Sequence, residues 1–178
     1  MCPPPLPDPT AHIVRRLARY RVRLGFAAAV AALWLARPTA GSLAVGAAIA
    51  VVGEGLRIWA AGHLEKGREV TASGPYRLSR HPLYLGSAII GVGFAVASAS
   101  AAAAALVVVY LVLTYGAAIR SEEAHLTEKF GAAYPEYRHG RAAQAPRRFS
   151  LERAFRNREY RAAAGLLLVL ALLAWKVL

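Results

Sequence analysis

Two short stretches concentrate residue types able to hold a polar small molecule. The first is Gly74-Pro75-Tyr76-Arg77-Leu78-Ser79-Arg80-His81-Pro82-Leu83-Tyr84-Leu85-Gly86. The second is Arg120-Ser121-Glu122-Glu123, followed by Phe130-Gly131, Tyr134 and Tyr137. Between them they offer carboxylate acceptors, an imidazole, hydroxyls, guanidinium donors and aromatic faces. Each piece alone has a plain structural reading. Gly74-Pro75 is an ordinary turn, and Pro82 suits the first turn of a helix, where its missing N–H costs nothing. Tyr76, Arg80, His81 and Tyr84 suit a membrane–water interface, and Glu122-Glu123 suits a solvated surface. Their combination at this spacing points instead to a site.

The elements that position these residues read as membrane helices. Hydrophobic residues make up 57% of the 178, above the roughly 45–50% of an ordinary soluble domain, and they fall in long blocks. A spanning helix needs about 20 mostly apolar residues. Five candidates follow, at 22–35, 42–60, 83–98, 101–119 and 162–178. The expected fold is therefore all-α and polytopic, because lipid offers no partner to exposed backbone amides. The link Ser98-Ala99-Ser100 is so short that the third and fourth spans must form a tight antiparallel hairpin. That hairpin brings the histidine–proline–tyrosine and twin-glutamate stretches to one membrane face, as one site. Gly91-Val92-Gly93 reads as helix packing rather than as a cofactor glycine pair. The proline-rich start, within 1–21, reads as a leader and basic juxtamembrane segment, and 121–137 as an amphipathic helix on the inner surface. The stretch 152–161 is charged and leads into the last span.

Basic residues outnumber acidic ones 22 to 10, for a formal charge of +12. No basic motif is interleaved with nucleic-acid readout elements, so nucleic acid is not an expected partner. The charges serve topology instead. Arg15, Arg16, Arg19, Arg21 and Arg23 precede or open the first span; Lys66, Arg68, Arg77 and Arg80 lie between the second and third; ten more basic residues lie between 120 and 161. The opposite side holds only Arg37 and Lys176. The expected arrangement is multi-pass, with the N-terminus and the site cytoplasmic and the C-terminus outside. The single cysteine, Cys2, permits no intrachain disulfide and no cysteine metal cluster, and no metal is expected.

The block GPYRLSRHPLYLG, followed after a helical hairpin by EEAHLTEKFGAAYPEY, resembles the isoprenylcysteine carboxyl methyltransferase and phospholipid methyltransferase superfamily. Gly53-Glu54-Gly55-Leu56-Arg57 resembles that group's segment at the end of the preceding span, so the likeness covers 53–138 within a core of 22–161, while 162–178 is a C-terminal membrane helix without motif. The resemblance implies an integral membrane enzyme using S-adenosylmethionine to methylate a small lipophilic acceptor. It implies that the cofactor is held by Arg68, Glu69, Val70, Thr71, Tyr76, His81, Pro82, Leu83, Tyr84 and Glu122. Physically, a carboxylate such as Glu122 takes amino or ribose groups, tyrosine faces suit adenine or a cation, and backbone N–H groups at a helix start suit a carboxylate. Methyl transfer needs positioning and dehydration of the nucleophile, and no catalytic base is assigned.

One departure bears on the acceptor. The group's carboxyl methyltransferases associate the substrate carboxylate with an arginine one turn before the position of Glu122. Here that position is Ala118, and Arg120 falls on another side of the helix. Arg57 and Arg120 are the alternative substrate arginines, with Glu54 beside Arg57. Ionisable residues within spans default to functional hypotheses, yet the i, i+3 spacing also permits a self-contained ion pair, and both readings stand. His63 and Lys66 lie just beyond. Carboxylate, thiol and amine acceptors all remain open. The competing function is a membrane NADPH-dependent reductase of the sterol-reductase type, which shares the RHPxY block.

Overall fold

The computed structural model describes residues 9–65, 68–131, 133–138 and 147–178, all of them in helices, turns or loops without strands. Seven α-helices follow in order: α1 (Pro9–Leu35), α2 (Ala40–His63), α3 (Pro82–Ser98), α4 (Ala101–Phe130), α5 (Ala133–Arg138), α6 (Leu151–Arg156) and α7 (Tyr160–Trp175), with one 3₁₀ turn at Gly74–Arg77. Lys66, Arg141 and the first eight residues of the expected leader lie outside the described residues. The rest of that leader, from Pro9 on, is helix continuous with the first span.

The helix ends are set by local chemistry. Thr39 and Ser42 cap α2 reciprocally: the Ser42 N–H donates to Thr39 Oγ1 at 3.1 Å, and the Thr39 N–H donates to Ser42 Oγ at 2.9 Å. Ala99, at φ 44, reverses the chain after α3, and the Ser100 hydroxyl accepts from the Ala103 N–H at 3.3 Å to start α4. The expected tight hairpin of the third and fourth helices is therefore present. Gly131, at φ 52, stops α4. No breaker occurs between Ile119 and that glycine, and the stretch is rich in Glu, Leu, Ala and Lys, all good helix formers. The expected separate surface helix over 121–137 is thus corrected. Its first part prolongs α4 to 30 residues, about 45 Å long, past a bilayer core of about 30 Å.

One end of the bundle gathers the α1–α2 turn, the α3–α4 hairpin and the end of α7. The Arg37 N–H donates to the Ser98 carbonyl at 2.8 Å, and Lys176 Nζ donates to the carbonyls of Leu33 and Ala36 at 2.8 and 2.5 Å. Arg37 and Lys176 thus share an end, with the described basic residues of 68–161 at the other.

α2 and α3 form the most extensive contact, through an antiparallel seam of small residues seven apart: Gly46 and Gly53 on α2 face Gly93 and Gly86 on α3. A Cβ on Gly53 would stand 2.7 Å from the Gly86 carbonyl oxygen, and one on Gly93 2.6 Å from that of Gly46. Gly91 turns the other way, against Leu111 of α4. Both glycines of the Gly91–Gly93 pair therefore serve packing.

The buried interior is mostly alanine and glycine, including Ala32, Ala50, Ala97 and Ala103, while Phe26, Val52, Val112 and Leu167 point outward. Large apolar side chains outside and small ones inside suit lipid, where tight backbone approach rather than a hydrophobic core drives association. α2 and α4 are long and apolar enough to cross a membrane; 23–35 of α1, with α3 and α7, are shorter apolar helices running the length of the same bundle. The chain is a membrane protein.

Candidate functional site

The start of α3 and the extended end of α4 meet at the basic end of the bundle. His81 is the N-cap of α3, and Pro82 follows as its first helical residue. His81 Nε2 lies 3.2 Å from Glu123 Oε1, and the His81 ring meets Tyr84 edge-on, with 6.0 Å between ring centroids. Tyr84 in turn packs edge-on against Tyr115 of α4 at 5.2 Å. The Tyr137 hydroxyl of α5 donates to the Tyr76 carbonyl at 2.8 Å and ties the 3₁₀ turn into the group. Burial raises the Tyr76 phenol far above the usual tyrosine range, and the nearby Glu122 carboxylate adds to this. Burial likewise pushes Tyr134 up to about 12, with Glu123 contributing. Both phenols stay protonated at neutral pH and are donors.

Of the residues singled out from sequence, Tyr76, His81, Pro82, Leu83, Tyr84 and Glu122 come together here. Glu122 itself is exposed; its neighbour Glu123 takes the histidine. The position of Glu123 was visible as half of the acidic pair, but its role was not. Tyr134 and Tyr137 complete the aromatic wall.

The loop Arg68-Glu69-Val70-Thr71 lies beside the end of α2. Thr71 is buried and accepts the Glu65 N–H at 3.3 Å, Glu69 pairs with Arg147 at 2.6 Å, and Arg68 is exposed. It is anchored by a strap, 147–157, that closes the end of α2. Arg153 Nε donates to the Gly62 carbonyl at 2.9 Å, and the Asn157 amide donates to those of Ala61 and Leu64, each at 2.9 Å. These are orphan carbonyls at the negative end of a helix, which attract cationic donors. Arg153 and Arg156 also reach Glu65 at 3.7 and 3.3 Å. His63 is buried between Gly74 and Phe149, with Nδ1 3.0 Å from the Trp59 carbonyl, a packing role.

Deeper in, Arg57 is the hub of a polar cluster. Its Nε donates to Glu159 Oε1 at 2.7 Å, and its Nη1 donates to the Leu83 carbonyl at 3.4 Å and, closely, to the Ser87 hydroxyl. Glu54 lies further off, 3.8 Å from Nε, buried, with neither carboxylate oxygen hydrogen-bonded. The pair is therefore not self-contained: Arg57 joins α2, α3 and the start of α7. Glu159 was missed from the sequence, where it sat in a charged run with no local partner. Arg120 is exposed on α4, and Ala118 is buried.

Below Arg57 and Ser87 an apolar cavity of about 350 Å³ runs between α1, α3, α4 and α7. Tyr115 lines it and carries the aromatic contact back to Tyr84. Its far reach is closed by Phe94 and Val169, which pack against the buried cluster of Ala36, Ala97 and Leu173.

Residues 24–133, more than half of the chain, match the family described as Phospholipid methyltransferase. No curated protein and no solved structure matches the chain. The matched segment runs from α1 through the end of α4 and so contains the seam, the hairpin, His81 and the glutamate pair, and on that match the chain belongs to the phospholipid methyltransferase family, a family of membrane methyltransferases.

Proposed function

We propose that this membrane methyltransferase uses S-adenosylmethionine to methylate a lipophilic acceptor at the basic end of its bundle. The observation that carries the reading is the meeting of His81 with Glu123 at 3.2 Å, joined through Tyr84 and Tyr115 to a cavity that admits an apolar molecule. The residues fit such a cofactor: an exposed carboxylate for amino or ribose groups, protonated phenols as donors, and a Tyr84–Tyr115 edge beside which a cation or adenine ring gains. When bound, the cofactor would supply an electrophilic methyl group to the lone pair of the acceptor. Glu122 and Tyr76 hold the polar end of the cofactor, His81 and Glu123 fix the start of α3, and Tyr84 with Tyr115 screens the reacting atoms from water. The charge distribution supports a cytoplasmic N-terminus and site. The reductase alternative draws no support from the family match.

The test is calorimetry of the purified chain in nanodiscs. S-adenosylhomocysteine is expected to bind and NADPH not to. Glu122→Ala is expected to weaken that binding about ten- to a hundredfold, the cost of a charge-assisted hydrogen bond of about 1.5–3 kcal/mol, while the protein stays folded. Binding of NADPH alone, or unchanged affinity in the variant, overturns the cofactor or its placement respectively.

A further inference from the structure

We infer that the cavity between α1, α3, α4 and α7 is a chain pocket for a single-chain amphiphile with an uncharged or basic head, and that Gly165 is the residue keeping it open. This rests on the methyltransferase reading above and concerns the acceptor only. At about 350 Å³ the cavity lies at the small end of the range for small-molecule pockets, about 300–1,000 Å³. A pocket at that end of the range suits one slim chain. The far closure by Phe94 and Val169 limits its depth. The polar rim fixes where the head stays: Arg57 and Ser87 line it, one turn along α3 from Leu83 and Tyr84.

The rim also selects head charge. The one guanidinium faces two carboxyls, Glu159 at 2.7 Å and Glu54 at 3.8 Å, and already donates to Glu159, Ser87 and the Leu83 carbonyl. An anionic head would meet an excess of acid and displace an existing partner, whereas an amine or neutral head meets no such opposition. Gly165 lines the cavity, and a Cβ built on it meets nothing within 4 Å. Gly25 and Gly91, on the other walls, are already filled against, since a Cβ there would stand 2.6 Å from the Tyr110 hydroxyl and 2.7 Å from Leu111. Gly165 is itself exposed, so a side chain there stands at the open side of the cavity without displacing protein.

The experiment is photolabelling of the full chain in phosphatidylcholine nanodiscs, with labelled residues mapped by mass spectrometry. Three probes carry a diazirine in the chain: a hexadecylamine, the matching fatty acid, and a diacyl phosphatidylethanolamine. The amine is expected to label Leu111 and Leu166 inside the cavity, the fatty acid to do so less, and the diacyl lipid to label outward residues such as Val108 and Leu167. Gly165→Leu is expected to cut cavity labelling by about tenfold or more, whereas Gly116→Leu, on the exposed face of α4 with equal open space, leaves it unchanged. Equal cavity labelling by the diacyl probe overturns the single-chain assignment, stronger labelling by the fatty acid overturns the head assignment, and labelling unchanged by Gly165→Leu overturns the role of Gly165. If Gly165→Leu misfolds, the probe comparison on the unaltered chain decides the first two. S-adenosylhomocysteine binding is measured on the same samples. Its absence removes the methyltransferase reading whatever the labels show, and its presence with an unlabelled cavity removes only the chain pocket.

Discussion

Arg57 would be an expensive residue inside a bilayer without compensation, and the two glutamates near it do not contribute equally. Glu159 accepts from Nε at 2.7 Å and also heads α7, so its carboxylate both neutralises a cation and sits at the positive end of a helix. Glu54 is buried at 3.8 Å with no hydrogen bond to either oxygen, which makes it a burden on the fold rather than a support. The two substitutions should therefore differ in size. Glu159→Ala is expected to destabilise the protein by about 1.5–3 kcal/mol, the range for a hydrogen bond to a charged group. Glu54→Gln, which keeps the shape and removes a charge, is expected to be near neutral. Thermal unfolding in nanodiscs compares them, and an equal loss from both would assign Glu54 a stabilising role that its geometry does not suggest.

Between helices, stability rests on backbone proximity. The α2–α3 seam leaves no room at Gly53, where a Cβ would stand 2.7 Å from a carbonyl oxygen and 2.8 Å from the Ile90 amide nitrogen of the opposing helix. Backbone cannot swing aside as a side chain can, so Gly53→Val must separate the helices. Its expected cost is about 1–3 kcal/mol, as for an overpacked core, with the His81 site displaced because α3 carries it. A drop in melting temperature accompanied by weaker S-adenosylhomocysteine binding is the expected pair of results. Gly55→Val, with open space around it, should change neither. Much of this level was legible in the sequence. The three-residue link at Ser98-Ala99-Ser100 required the α3–α4 hairpin, and that hairpin required the two polar stretches to meet. The abundance of small residues foretold close helix packing, though not which glycine faces which helix. Partners distant in sequence were not legible. Arg57 and Glu159 lie 102 residues apart, and the contacts of Arg153 and Asn157 with the end of α2 depend on where the chain returns, which no local period encodes. The prolongation of α4 escaped for a different reason: a change from apolar to charged composition marks the edge of a membrane, whereas only Gly131 marks the end of the helix.

Across the whole molecule, charge and architecture agree on a polarity. Arg37 and Lys176 close one end, and Lys176 caps the last carbonyls of α1 there; the site, the strap and the described basic residues of 68–161 hold the opposite end. α7 belongs to this arrangement as fully as α2 does, since it begins at Glu159 against Arg57, lines the cavity and ends at α1. If all five expected spans cross, the number of crossings is odd and the two termini face opposite sides. Cell-surface labelling tests that directly once the single natural cysteine is replaced in a Cys2→Ser background. Ser100→Cys, in the α3–α4 hairpin, is expected to react with a membrane-impermeant maleimide on intact cells. Ser121→Cys, on the exposed face of α4 near the site, is expected to react only after permeabilisation. The positive-inside bias predicts this direction rather than its reverse. Labelling of both positions from the outside would mean that α4 does not cross, and the bundle would then have to lie in one leaflet, with its site no longer addressed to the cytoplasm.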